Sequence, residues 1–123
     1  MPTAQTVAGV TVSRDESPLL RNSNVSKSRG GLIFQIIIQN TGALTYFQLF
    51  KNLAPSATPP FACALPADGA VPDMTYLVVA NSTLVLNFPG GDGCPTSIAW
   101  CQSSTQATKT VGTAAFIVHI DYR

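Results

Sequence analysis

The chain has 123 residues, with seven Lys or Arg, six Asp or Glu, one His and a formal net charge of +1. Charged residues make up 11%, against about 25% in an ordinary globular chain, while hydrophobic residues reach 46% and mean hydropathy is +0.24. The length fits one domain with one core. The apolar share excludes disorder by composition, and the near-neutral balance excludes the basic footprint that nucleic acid or an anionic membrane would require.

In chain order, the N-terminus Met1-Pro2-Thr3-Ala4-Gln5-Thr6 lacks a basic region followed by an apolar run, so no secretory signal is expected there. Residues 1–31 read as an extended N-terminal arm. A strand can form between Thr3 and Arg14, followed by a polar Ser/Asn/Gly connector from Arg21 to Gly31. Polar termini stay disordered unless something holds them, so an ordered arm points to a partner surface or a neighbouring subunit. The expected partner-contacting residues are Thr3, Val7, Val10, Val12, Arg14, Leu19, Leu20 and Arg21.

From Leu32 the pattern has period 2. Leu32, Phe34, Ile36 and Ile38 share one face, and Ile33, Gln35, Ile37 and Gln39 share the other. Asn40-Thr41-Gly42 supplies turn chemistry. Leu44, Tyr46, Gln48 and Phe50 then alternate with Thr45, Phe47, Leu49 and Lys51, and the two runs read as an antiparallel hairpin. The proline-rich stretch 52–60 excludes helix and central strand. Short strands are expected at 61–65, 75–80, 83–88 and 97–102. Turns are expected at Pro66-Ala67-Asp68-Gly69 and Pro89-Gly90-Gly91-Asp92-Gly93. The closing strand runs over 113–122, with Phe116, Val118, Ile120 and Tyr122 on one face. No window carries a capped 3.6-residue stripe. The expected fold is all-β: an antiparallel β-sandwich, jelly-roll or Ig-like, of seven or eight strands over residues 32–123.

The chemistry-bearing residues are few. The Gly90–Gly93 loop lacks the Lys-Ser/Thr and the following helix of a phosphate loop. Cys63, Cys94 and Cys101 contain no close pair of the kind that structural zinc takes, and read as small buried thiols, with a disulfide to Cys63 as the alternative. His119 lies among Ile117, Val118 and Ile120 and reads as a structural or interface residue. Asp15-Glu16 points its carboxylates to opposite sides of an extended arm, unlike a glycosidase pair. Asp68, Asp73 and Asp92 fall in turns, where Asp bonds its own backbone, and no calcium-loop spacing is present. The sequons at Asn24 and Asn81 read as accidental turn sequences. No catalytic, cofactor or metal residues are expected. Trp100, Tyr46, Tyr76 and Tyr122 are candidate surface aromatics that could stack on sugar, against a reading as core and interface aromatics.

Several segments together carry a resemblance. They are Thr45-Tyr46-Phe47-Gln48-Leu49-Phe50-Lys51, the proline-rich stretch to Pro60, Ala64-Leu65-Pro66 and Ser82-Thr83-Leu84-Val85-Leu86-Asn87-Phe88. To these are added the Gly90–Gly93 turn, Ser97-Ile98-Ala99-Trp100 ahead of a Ser/Thr-rich loop, and the closing strand ending Asp121-Tyr122-Arg123. From about Gly31 onward the pattern resembles the small β-sandwich virion structural proteins of tailed bacteriophages. It departs where Cys94-Pro95-Thr96-Ser97-Ile98 replaces the family's Gly-Ile/Leu sequence. The resemblance implies a non-enzymatic part of a virus particle. The expected function is a capsid decoration (cement) protein, forming a homo-oligomer with a trimer favoured. Its partner would be the major capsid protein or another virion protein. Alternatives are a neck, tail or fibre-attachment component and, from another class, a carbohydrate-binding module.

Overall fold

Runs of alternating apolar and polar residues, punctuated by Gly, Pro and Asn, form strands throughout the computed structural model. It describes residues 19–123, together with two earlier strands, Thr3–Val7 (β1) and Val10–Glu16 (β2), for which only the backbone is described. Seven strands follow: Ser23–Lys27 (β3), Gly31–Asn40 (β4), Thr45–Phe50 (β5), Met74–Val78 (β6), Ser82–Cys94 (β7), Ile98–Ser103 (β8) and Phe116–Tyr122 (β9). No helix occurs among the described residues.

All pairings are antiparallel and make two sheets, ordered β1-β2-β9-β4-β7 and β3-β8-β5-β6. From β2 onward the chain changes sheet at every connection except the one between β5 and β6. This is the jelly roll, a sandwich of two four-stranded sheets, here with β1 added at one edge. Of the two sandwich types expected from the sequence, the topology selects this one.

The expected β4–β5 hairpin is corrected. β4 pairs with β7 and β9, whereas β5 pairs with β6 and β8 in the other sheet. Asn40 makes the crossing. Its Nδ2 donates to the Ala43 carbonyl (2.9 Å), its Oδ1 accepts from the Gly42 amide (2.9 Å), and the Thr41 amide donates to Ala115 O. Gly42 packs so close to Ala115 that an added Cβ would come within 2.9 Å of its methyl group. The crossing sets the apolar face of β4 opposite that of β5 across the core, where each covers the other.

The phase of β4 also differs from strict alternation. Ile33 pairs with Asp92 and the next paired residue, Gln35, with Asn87, so Phe34 stands opposite a bulge of 88–91. Gly90 and Gly91 carry it, with φ of 83° and 91°, a region open mainly to glycine. The glycine-rich segment expected as a turn is therefore a bulged continuation of β7. Ile33 on one side of the bulge and Ile36 and Ile38 on the other all enter the core, and Leu32 and Phe34 line Gly91 instead. Residues 61–65, expected as a strand, run as irregular chain across the outside of the second sheet. β3 forms within the polar connector and pairs with β8, Ser23 opposite Cys101.

The core between the sheets is Ile33, Ile36, Ile38, Phe47, Leu49, Val78, Cys94, Ile98, Trp100, Phe116, Val118 and Ile120. Trp100 sits at its centre, stacked on Phe47 with ring centroids 5.8 Å apart and tilted against Phe116 at 6.4 Å. A smaller cluster lies on the outer face of the second sheet, where Phe50, Ala99 and Cys101 are covered by Val25, Leu53, Leu65 and Ala70.

Candidate interaction surface

The expected arm residues lie at one edge of the first sheet. Thr3, Val7, Val10, Val12 and Arg14 fall in β1 and β2, and β2 runs beside the chain's own β9, with Arg14 opposite Asp121 and Glu16 opposite His119. The side chains of β1 and β2 lie outside the described residues. Leu19 and Leu20 are exposed. Arg21 is anchored through its backbone, its amide donating to Phe116 O (2.9 Å) and its carbonyl accepting from the Phe116 amide (3.2 Å).

The four candidate surface aromatics do not converge. Trp100 is 1% exposed, at the centre of the core; it is not a surface aromatic, because the alternation of β8 turns Ile98 and Trp100 inward together. Tyr46 faces outward, paired with Leu77, whereas Tyr76 pairs with Phe47 and packs against the core from the inner face of the neighbouring strand. Tyr122 lies in the other sheet, its hydroxyl donating to the Ser26 carbonyl (3.3 Å). No flat platform joins them.

The outer face of the second sheet is roofed by two loops. Gln48 is fully buried there, its Nε2 within 3.0–3.2 Å of the carbonyls of Thr105, Gln106 and Thr108. Ser103 Oγ donates to Thr105 O (2.8 Å) and accepts from the Thr110 amide (3.0 Å). The second loop is pinned to the first. Lys109 Nζ donates to Asp68 Oδ1 (2.9 Å), the Gly69 amide donates to Lys109 O and the Lys109 amide to Ala70 O (2.7 Å each). The Lys109 ammonium beside Asp68 holds that carboxyl below its ordinary range.

Each turn aspartate thus has a task that the sequence did not indicate. Asp73 accepts from the Lys51 amide (2.6 Å) and Asn52 Nδ2 (3.0 Å), and Asp92 Oδ2 lies 2.5 Å from Lys51 Nζ, tying β7 to the end of β5. His119 Nε2 lies 3.4 Å from Asp121 Oδ1 on the outer face of β9. Among the described residues no group of three or more His, Cys, Asp or Glu gathers as a metal ion would require.

Cys63, Cys94 and Cys101 are buried free thiols, as the sequence suggested. Burial pushes Cys94 and Cys101 up from 9.0 to about 11, which leaves them protonated and weakly nucleophilic near neutral pH. In the native protein these two thiols should resist an aromatic disulfide reagent at neutral pH and react only after unfolding. From pH about 9 to about 11 the unfolded chain releases two protons that the folded chain retains, so stability should fall as pH rises. Urea midpoints taken across that window check the sign.

No family model, no curated protein and no solved structure corresponds to the chain. The surface must therefore be interpreted from its own chemistry. The described outside carries large exposed apolar side chains at Leu19, Leu20, Leu44, Phe61, Val71, Leu77, Val79, Val85 and Val111, and they are spread over both faces rather than gathered in one cleft.

Proposed function

We propose that this chain is a non-enzymatic structural protein of a virus particle: a decoration (cement) protein of a tailed bacteriophage capsid. It would work as a homo-oligomer, with a trimer favoured, seated on the major capsid protein or another virion protein. The observation that carries this reading is an outer surface with many exposed apolar side chains and few charges on a jelly-roll sandwich. Apolar side chains exposed on both faces are area that neighbouring subunits would take out of water, and jelly rolls serve widely as capsid and lectin domains; the fold alone is an analogy. The sugar-binding alternative loses its principal residue, since Trp100 is in the core.

The mechanism is contact area. β1 widens the first sheet beyond the sandwich and, pairing among the described residues only with β2, would offer its other edge to capsid subunits. Binding to the assembled shell and not to dispersed subunits stabilises the shell by mass action.

The test is truncation. Removing the whole polar N-terminal third would also remove β2 and β3 and uncover β9 and β8, so the informative deletion ends at residue 7 and takes β1 alone. A chain lacking residues 1–7 should remain folded, as judged by its melting transition, and lose at least about tenfold in affinity for particles, the equivalent of about 1.4 kcal/mol. Particle binding at undiminished affinity by the folded, truncated chain would overturn the reading.

A further inference from the structure

Edge strands are normally protected by Lys, by inward charges or by a covering segment, because their unpaired amides and carbonyls accept any passing strand. In this chain the two edges on one side of the sandwich lack charged protection over most of their length. Residues 30–50 and 74–91 contain no Asp, Glu, Lys, Arg or His. Among the described residues, β6 pairs only with β5 and β7 only with β4. One strand comes from each sheet, and both border the same end of the core, which Met74, Tyr76, Leu84, Leu86 and Phe88 leave only partly closed. The outward side chains flanking this edge are apolar too, Leu77 (51% exposed) and Val79 (56%) on the outer face of the second sheet and Val85 (47%) on the opposite, outer face of the first. Leu44 and Tyr46 extend the second sheet's side across β5, Tyr46 standing opposite Leu77 in register, so the apolar strip wraps round the edge. The nearest charges, Lys51, Asp73 and Asp92, gather at one end, bound to one another or to adjacent backbone.

We propose that this uncharged β6–β7 edge is the face through which copies of the chain join one another. Complementarity narrows the occupant. A charged partner would lose hydration against the strip and find no counter-charge. The surface that fits is itself uncharged and apolar and offers free strand hydrogen-bonding groups, and the same strip on a second copy has all three properties. Among the described residues, the part of β7 ahead of the bulge pairs in regular register with β4 and with no strand on its other side, so antiparallel addition satisfies its outer amides and carbonyls. The neighbouring copy also covers the half-buried ends of Leu84, Leu86 and Phe88. The inference deepens the homo-oligomer part of the proposed function and does not depend on which particle, if any, the protein joins.

The experiment uses the full chain and sedimentation velocity over a wide concentration range, comparing wild type with Leu77→Lys/Val85→Lys and with Val71→Lys. Val71, 76% exposed outside the strip, is the control. Expected are a wild-type oligomer, a double variant that sediments as a monomer with an unchanged melting transition, and a control that sediments as wild type. A monomeric wild type at the highest concentration, a folded double variant that keeps the wild-type mass, or a control that dissociates equally overturns the proposal. Should the double variant not fold, hydrogen exchange on wild type gives the same decision. The outer-edge amides of residues 83–87 should exchange at least about tenfold more slowly in concentrated than in dilute protein, and equal rates overturn it. Particle binding by the truncated chain is scored separately, so failure of self-association and failure of the virion reading are distinguishable.

Discussion

Trp100→Ala is expected to lower stability by about 3–5 kcal/mol, the range for removing a large aromatic side chain from a packed core. The side chain is 1% exposed and touches aromatic rings from both sheets, Phe47 on β5 and Phe116 on β9. No shift of a single strand can refill that space, because β8, which carries it, is held between β3 and β5. For a domain of this size such a loss is a large part of the total stability, and a urea titration should show the midpoint falling with little change in slope. Tyr46→Ala, on the outer face, should cost far less. The contrast matters for function. Any loss of ligand or particle binding in Trp100→Ala follows from unfolding, so a sugar-binding role cannot be tested at this residue.

The parts of the fold that depend on one strand at a time are legible in the sequence. The alternation of Phe116, Val118 and Ile120, and of Phe47 and Leu49, assigns faces that the core confirms. Alternation does not say which sheet a strand joins, and for that reason β4 and β5 look like a hairpin although they sit in opposite sheets. The Gly90–Gly91 bulge is hidden for a related reason, since the glycines that permit a turn also permit a kink within a strand. β3 is missed because Ser-Asn-Val-Ser-Lys has almost no apolar signal; β8 beside it and the strands around supply the order that its own residues do not. The aspartates are legible as turn residues, but their partners Lys51 and Lys109 are brought to them by long-range contacts. The charge-free stretches 30–50 and 74–91 are plain in the sequence, yet only the strand order shows that the second of them forms an open edge.

Gln48→Leu is expected to cost about 1–3 kcal/mol, through the roof of the second sheet rather than the core. Gln48 occupies an outward position of β5, on the face that it shares in the sequence with Leu44, Tyr46 and Phe50, and it is fully buried because the 104–110 loop folds over it. One amide nitrogen with two protons serves three carbonyls at 3.0, 3.2 and 3.0 Å, and Oε1 accepts from Cys101 Sγ at 3.4 Å. Leucine has a similar volume and no donor, so packing is largely kept while each carbonyl loses one of its partners; Thr105 O keeps Ser103 Oγ, Gln106 O keeps Thr75 Oγ1 and Thr108 O keeps the Ser103 and Thr105 hydroxyls, so the cost is that of the hydrogen bonds themselves, about 0.5–1.5 kcal/mol for each of the two protons. The loop has other ties, through Ser103 and the Lys109–Asp68 pair, which limits the sum to less than three separate losses. Gln48→Glu should be worse, because a carboxylate would place negative charge against carbonyl oxygens. Two readouts check the argument: a lower melting temperature, and faster exchange of the Ser104 and Thr110 amides, which donate to Thr110 O and Ser103 Oγ within the loop. A Gln48→Leu protein with wild-type melting and wild-type exchange at those amides would mean that the loop is held by its own turns and by Lys109, and that the buried amide contributes nothing net.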